Sequence, residues 1–216
     1  MLRNALPDVS FAVIPNMLDA SFFTLPPVPR CNAAPSFLSV GSLNQNKGID
    51  VLLKAFALYR QSGGSWNLEI GGDGPLRQQL MQQVVRLHLE ESVRSLGQLT
   101  RAQVREAMWR ASVFVLPSRV ETFGLVVAEA LATGLPVVAT RSGGPESILT
   151  PDDGLLVDPD DHVVLANALA TLTRTNSFYR AEDLRERCVK RFGSVEVGRQ
   201  LLDAYTQIVH REDGRA

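Results

Sequence analysis

Two carboxylates, one lysine and a set of glycine turns are the residues whose types and spacing point to chemistry. Glu121 and Glu129 stand eight positions apart in the run Glu121-Thr-Phe-Gly-Leu-Val-Val-Ala-Glu129. The apolar pattern predicts a helix over residues 123–132, so Glu121 precedes it, facing a cleft, and Glu129 lies inside it. A carboxylate among Val126, Val127, Ala128, Ala130 and Leu131 is costly unless a hydroxyl or an amide meets it. A ribose or hexose hydroxyl is the simplest such partner. Gly124, at the start of that helix, would expose backbone amides to an anion or a polar sugar. Taken singly, Glu121 also reads as an N-terminal helix charge and Glu129 as a residue on a solvated edge.

Lys47 and Gly48 sit at the predicted start of an earlier helix, after a turn at Gly41. Backbone amides at a helix N-terminus plus an ammonium make a cradle for a diphosphate. Alone, Lys47 reads as a solvated side chain ahead of a helix. No second glycine falls between Ser42 and Lys47, which disfavours the phosphate loop of nucleotide triphosphatases. The run Gly71-Gly72-Asp73-Gly74 would let backbone approach a ligand, or simply make a tight turn. It lacks the GxGxxG spacing, and no acidic residue ends a following strand, so a dehydrogenase site is a poor fit.

The elements that must position these residues follow from the apolar period, which switches repeatedly along the chain. Short apolar runs at residues 36–40, 67–70, 93–96, 113–116, 136–139 and 154–157 read as strands. Between them lie helical patterns: Ile49, Leu52, Leu53 and Phe56; Leu76, Leu80, Val84 and Leu87 with Pro75 in the first turn; a helix capped by Thr100; and residues 123–132. A helical tail follows from Asp161, carrying Leu165, Leu169 and Leu172, then Leu201, Leu202, Tyr205, Ile208 and Val209. The fold class is α/β, a Rossmann-like parallel sheet with helices on both faces. The turns at Gly41, residues 71–74, Gly97 and residues 143–144 all fall at predicted strand carboxyl ends, where such sheets bind ligands. Residues 10–14 read as a further short strand. The proline-rich stretch after it places residues 1–30 outside the main core as a tail or linker, and residues 31–216 form the domain.

Composition narrows the classes further. With 216 residues, 45% apolar and 21% charged, the chain is an ordinary globular protein with room for one sizeable core. A net charge of −1 argues against nucleic acid as a partner. Cys31 and Cys188 form no metal spacing and read as reduced thiols, while His88, His162 and His210 make no pair or triad, so no metal site is expected. No apolar run approaches the about 18 residues of a membrane span, and Pro7 and Asp8 break any signal-peptide core, giving a cytoplasmic reading.

The ordered combination of motifs is more specific than any part. Val40-Gly-Ser-Leu-Asn-Gln-Asn-Lys47-Gly48, Gly72-Asp-Gly74-Pro75, Leu96-Gly97, the Glu121 to Glu129 run, Ala132-Thr-Gly134-Leu-Pro136 and Ser142-Gly143-Gly144-Pro-Glu146 resemble the donor domain of family 4 retaining glycosyltransferases. The resemblance runs from about Phe11 to the end. It implies one half of a GT-B fold, which binds a nucleotide diphosphate sugar, UDP- or GDP-linked, with no metal and no other cofactor. In its terms Lys47 neutralises the departing diphosphate and Glu121 bonds donor-sugar hydroxyls. Gly41, Ser42 and Gly72 border the nucleotide; Phe123, Gly124 and Leu125 offer backbone amides; Glu129 holds the ribose hydroxyls; Gly97 and Leu99 lie near the base.

Two features depart from the family pattern. Ser42 stands where an arginine is usual, so full stabilisation of the leaving group would need Arg119 or Arg141 to reach the site. Residues 13–19 resemble the segment that crosses between the two family domains, so the acceptor half is expected to be missing: about 150 residues of an N-terminal domain. The isolated chain should then be inactive. Residues 11–29 and the last helix would pack against that half, drive self-association, or fold back on this domain's own core. The alternatives are a catalytically silent nucleotide-sugar-binding or interaction module, and a GT-B epimerase or hydrolase.

Overall fold

Strand β1, Ser36–Val40, is the centre from which the rest is built. Its successive side chains point to opposite faces, so Phe37 serves one apolar layer and Leu38 the other, both fully buried. The computed structural model describes residues 12–24 and 35–213, with side chains described through residue 208. Five further strands join β1: β2 Asn67–Gly71, β3 Val93–Gly97, β4 Val113–Leu116, β5 Val137–Thr140 and β6 Gly154–Val157. All the pairings are parallel, in the order β3-β2-β1-β4-β5-β6. Every residue of β4 and β5 is buried, which is why these strands read as unbroken apolar runs.

On the Phe37 face lie helices α1 Ile49–Gln61, α2 Arg77–Arg86 and, further on, α6 His162–Thr175. Phe37 meets the rings of Phe56, Tyr59 and Trp66 at centroid distances of 6.3, 5.3 and 5.1 Å. On the Leu38 face lie α3 Arg101–Arg110, α4 Leu125–Ala132 and α7 Ala181–Phe192. A short helix α5, Pro145–Ile148, follows β5, and a long helix α8, Ser194–Asp213, ends the chain. The sheet grows outward from β1 through β2 to β3, then returns past β1 to β4 with its helices on the other face. The connections leaving β1 and β4 therefore diverge, and a crevice opens at their carboxyl ends. Among the described residues no helix is long and apolar enough to cross a membrane.

The structure shifts several expected boundaries and overturns two readings. The helix expected over residues 123–132 begins at Leu125, because Gly124 has φ +85° and serves as its N-cap. The fifth strand starts at Val137 and runs to Thr140. Residues 12–14 are not a strand: Val13 is 94% exposed, and no described strand pairs with it (residues 10 and 11 lie outside the described residues). Nor is the stretch 12–24 wholly outside the core. Leu18 and Phe22 are buried in the Leu38-face layer, and the Leu18 N–H donates to the Phe192 carbonyl at 3.1 Å. The tail also contains α7, whose buried Leu184, Cys188 and Phe192 recur every fourth residue on a highly charged helix. On α8, Leu201, Leu202, Tyr205 and Ile208 are exposed.

The join between β1 and β4 depends on Gly48, whose φ is +63° and whose added Cβ would lie 2.0 Å from the Pro117 carbonyl oxygen. Gly48→Ala should cost about 2–3 kcal/mol through backbone displacement and a disfavoured conformation. Gly198, inside α8, meets nothing within 4 Å, so Gly198→Ala should stabilise by about 0.5–1 kcal/mol. Urea midpoints at unchanged slope check both; similar midpoints for the two variants would contradict this packing.

Candidate functional site

Six strand-to-helix connections crowd the carboxyl edge of the sheet, and residues 41–48 after β1 and 117–124 after β4 stand at its centre. The first holds a single 3-10 turn, Gln45–Lys47, which ends in the left-handed Gly48 that also caps α1. That turn delivers Lys47. Its Nζ lies 2.5 Å from Glu121 Oε2, with the two side chains 24% and 13% exposed. Glu121 is fixed by its backbone: its N–H donates to the Ser142 carbonyl and its own carbonyl accepts from Gly144 N–H, both at 2.8 Å. The expected diphosphate ligand and the expected sugar ligand thus meet as one ion pair. Breaking a half-buried pair by removing one partner leaves the other charge uncompensated.

Beside the pair lies a groove of about 390 Å³ lined by Gly41, Ser42, Gly72, Asp73, Gln98 and Leu99, among others. The glycines are there because backbone passes backbone: a Cβ on Gly72 would fall 1.9 Å from the Gly41 carbonyl oxygen, at φ +133°. The Gly97 carbonyl accepts from Gly72 N–H at 2.7 Å, and Leu99 packs against Gly71. Gly41, Ser42, Gly72 and Leu99 are therefore brought together in one groove, with Gly97 directly behind it. The stem of Lys47 passes next to Gly41. Gly124 is buried, and α4 begins at Leu125; the Val127 N–H donates to the Gly124 carbonyl at 2.8 Å, and no N-cap side chain meets the amides of Leu125 and Val126. Phe123 turns its ring edge-on to Phe192, 6.1 Å between centroids, which leaves only its backbone for a ligand.

Glu129 is not on a solvated edge. It is 1% exposed, and burial pushes its carboxyl up while the Arg101 guanidinium pulls it back. Arg101 Nη2 lies 2.7 Å from Glu129 Oε1, an ion contact off the hydrogen-bond axis, so Oε1 has no aligned donor. Arg119 and Arg141 do not supply the cation that Ser42 lacks. Arg119 grips both oxygens of Asp50 at 2.9 and 2.8 Å and reaches Asp160 at 2.7 Å, and its N–H donates to the Asn46 carbonyl. Arg141 turns toward Asp158 at 3.7 Å. Arg101, Asp50 and Phe22, whose ring lies under the Arg101 guanidinium at 4.7 Å, escaped the sequence reading. Their partners are 28, 69 and 79 positions away, and no local spacing announces such pairs. Cys188 is spent structurally: its thiol donates to the Ala128 carbonyl and burial pushes it up to about 12, while Cys31 lies outside the described residues.

A doubly wound α/β domain that gathers an ammonium, a carboxylate and a glycine-lined groove at its switch point has them where sheets of this class bind ligands. The sequence profile of the glycosyl transferases group 1 family matches residues 30–191, and the chain belongs to that family. It is 33% identical over 208 residues to an exopolysaccharide phosphotransferase of Streptomyces coelicolor, covering 94% of this chain and 21% of that protein. It is 35% identical over 159 residues to one component of the human phosphatidylinositol N-acetylglucosaminyltransferase, covering 74% of this chain and 33% of the relative. Among solved structures, the GT-B fold of Anabaena HepE in complex with UDP aligns with TM-score 0.79 and 26% identity, over 91% of this chain and 57% of that one. The chain thus spans a fifth to a third of the length of these two curated relatives.

The Arg119–Asp50 tie sews the β4 connection to α1 and gives an acid signature. The Arg119 guanidinium holds the Asp50 carboxyl below the ordinary value of about 3.9. A depressed carboxyl contributes stability above its unfolded pKa and loses it as pH falls through the folded one. Wild type should therefore lose stability on acidification below about pH 4, and Asp50→Asn should lose less over the same range. Thermal unfolding from pH 5 to pH 2.5 checks this; parallel acid slopes would contradict it.

Proposed function

We propose that this chain is the donor half of a two-domain retaining glycosyltransferase and that it binds a nucleoside diphosphate sugar in the groove beside Lys47. The observation that carries the reading is the Lys47–Glu121 pair, an ammonium and a carboxylate held by two connections at the switch point of the sheet. Residues 31–216 form the donor domain, and residues 1–30 belong to the crossing segment toward an acceptor half. HepE, which contains a fold like this one over 57% of its length, binds UDP, and that favours uridine here.

In this reading the diphosphate lies against Lys47 and the free amides of α4, near Gly41, Ser42 and Gly72. Glu121 accepts from donor-sugar hydroxyls, and Glu129 accepts from the ribose, with the base toward Gly97 and Leu99. Transfer breaks the bond between the anomeric carbon and the diphosphate oxygen, and the electron pair leaves with the diphosphate. The acceptor oxygen bonds the same carbon from the same face, and its proton passes to the departing phosphate oxygen. Lys47 and the helix amides act where negative charge grows, a contribution worth several kcal/mol in comparable sites. The acceptor comes from the other half, so the isolated chain should bind donor without transferring it. A second reading, a silent binding module, gains from one observation: Arg119 is committed to Asp50 and Asp160, and Arg141 turns toward Asp158, so neither stands in for the arginine missing at Ser42.

Calorimetric titration with UDP, GDP and ADP, with and without magnesium, tests the reading. One diphosphate should bind without metal, and Lys47→Ala and Glu129→Ala should each weaken it about tenfold or more, as expected for lost charge-assisted contacts. Absence of binding by all three, or binding indifferent to both substitutions, would contradict a donor site here.

A further inference from the structure

A carboxylate buried in an apolar helix face needs an explanation that Glu129 alone does not provide. Its Oε1 is among the buried polar atoms that lack an aligned hydrogen bond, a cost unless a ligand or solvent supplies the donor. Its ion-pair partner is Arg101, 2.7 Å away, and the Asp19 carboxylate is near enough to oppose its charge. Arg101 is the first residue of α3, directly after Thr100, whose capping box with Gln103 fixes where the helix begins. The guanidinium therefore emerges at the sheet's carboxyl edge and reaches across to α4. It is gripped on its other side by the ring of Phe22, 4.7 Å from its centre, in the turn Ala20–Phe23 capped by Asp19. Phe22 is fully buried, whereas the Arg101 side chain stays 56% exposed.

We infer that Arg101 is a positioning residue for the nucleotide site: held by Phe22, it keeps the Glu129 carboxylate oriented for the ribose hydroxyls. Here Oε1 lies shielded from solvent 2.7 Å from the guanidinium, so Arg101 fixes where the carboxylate's oxygens stand. The arrangement also ties residues 19–22, in the segment read as leading to the acceptor half, to the ribose ligand through one guanidinium. The inference rests on the reading of Glu129 as ribose ligand.

The test is calorimetry of UDP, GDP and ADP against their 2′-deoxy forms, with inorganic pyrophosphate as a probe of the diphosphate end alone. Wild type should prefer the ribonucleotide about tenfold, the value of one charge-assisted hydrogen bond. Arg101→Ala should lose most of that preference and leave pyrophosphate affinity unchanged; Arg101→Lys, which retains a charge, should restore part of it. Arg101→Ala leaves the buried Glu129 charge uncompensated, so urea midpoints accompany both variants, and Arg101→Lys, which retains a charge, carries the test if Arg101→Ala does not fold. Undiminished preference in folded Arg101→Ala, or tighter binding of both forms, would overturn the inference while leaving the donor reading intact. The second outcome would make Arg101 a cover over Glu129. A wild type without ribose preference would remove the role of Glu129 and the inference with it.

Discussion

The meeting of β1 and β4 in the middle of the sheet is the constraint on which the rest depends. Two connections that leave in opposite directions must start side by side without a gap, and several contacts sew them together. Gly48 passes against the Pro117 carbonyl, Arg119 N–H donates to the Asn46 carbonyl, Arg119 clasps Asp50, and Lys47 pairs with Glu121. The first three fix the backbone. The fourth places opposite charges in the crevice, each short of its full hydration and each able to take a ligand group. Packing and chemistry are thus arranged by the same junction.

The apolar layers explain why that junction is rigid. Phe37 and Leu38, adjacent in β1, anchor the two sides of the sheet, and all of β4 and β5 is buried beneath helices. Loops that rise from such strands begin at positions that cannot drift. Glycine then lets the loops approach one another, as at Gly72 over the Gly41 carbonyl, and the groove forms where side chains are absent. Helix α4 adds amides without a side-chain cap at one end and a buried carboxylate in its second turn, so a single eight-residue helix carries two of the features on which the proposed site relies.

Much of this was legible in the sequence because it is local. Runs such as Val113–Leu116 and Gly154–Val157 have the period of buried strands, and the turns that end them carry their own glycines. The Glu121 to Glu129 spacing and the Lys47-Gly48 pair likewise belong to single segments. What escaped depends on contacts between distant segments. That Lys47 and Glu121 touch, that Arg119 turns to Asp50 and Asp160, and that Arg101 pairs with Glu129 follow from which loops the strand order brings together. Residues 12–14 misled for a related reason: Val13 and Ile14 are β-branched, yet no described strand offers them a ladder. Leu18 and Phe22 joined the core because α4 and α7 leave room beside the sheet, which no pattern within residues 12–24 reveals.

The crystal structure of this chain grown with the nucleoside diphosphate it binds would test the central claim most directly. The account predicts a diphosphate oxygen about 3 Å from Lys47 Nζ, with the ribose on the Glu129 side of the groove and the nucleotide lying along residues 41–48 and 117–125. A nucleotide seated away from those two connections, with the Lys47–Glu121 pair untouched, would contradict it.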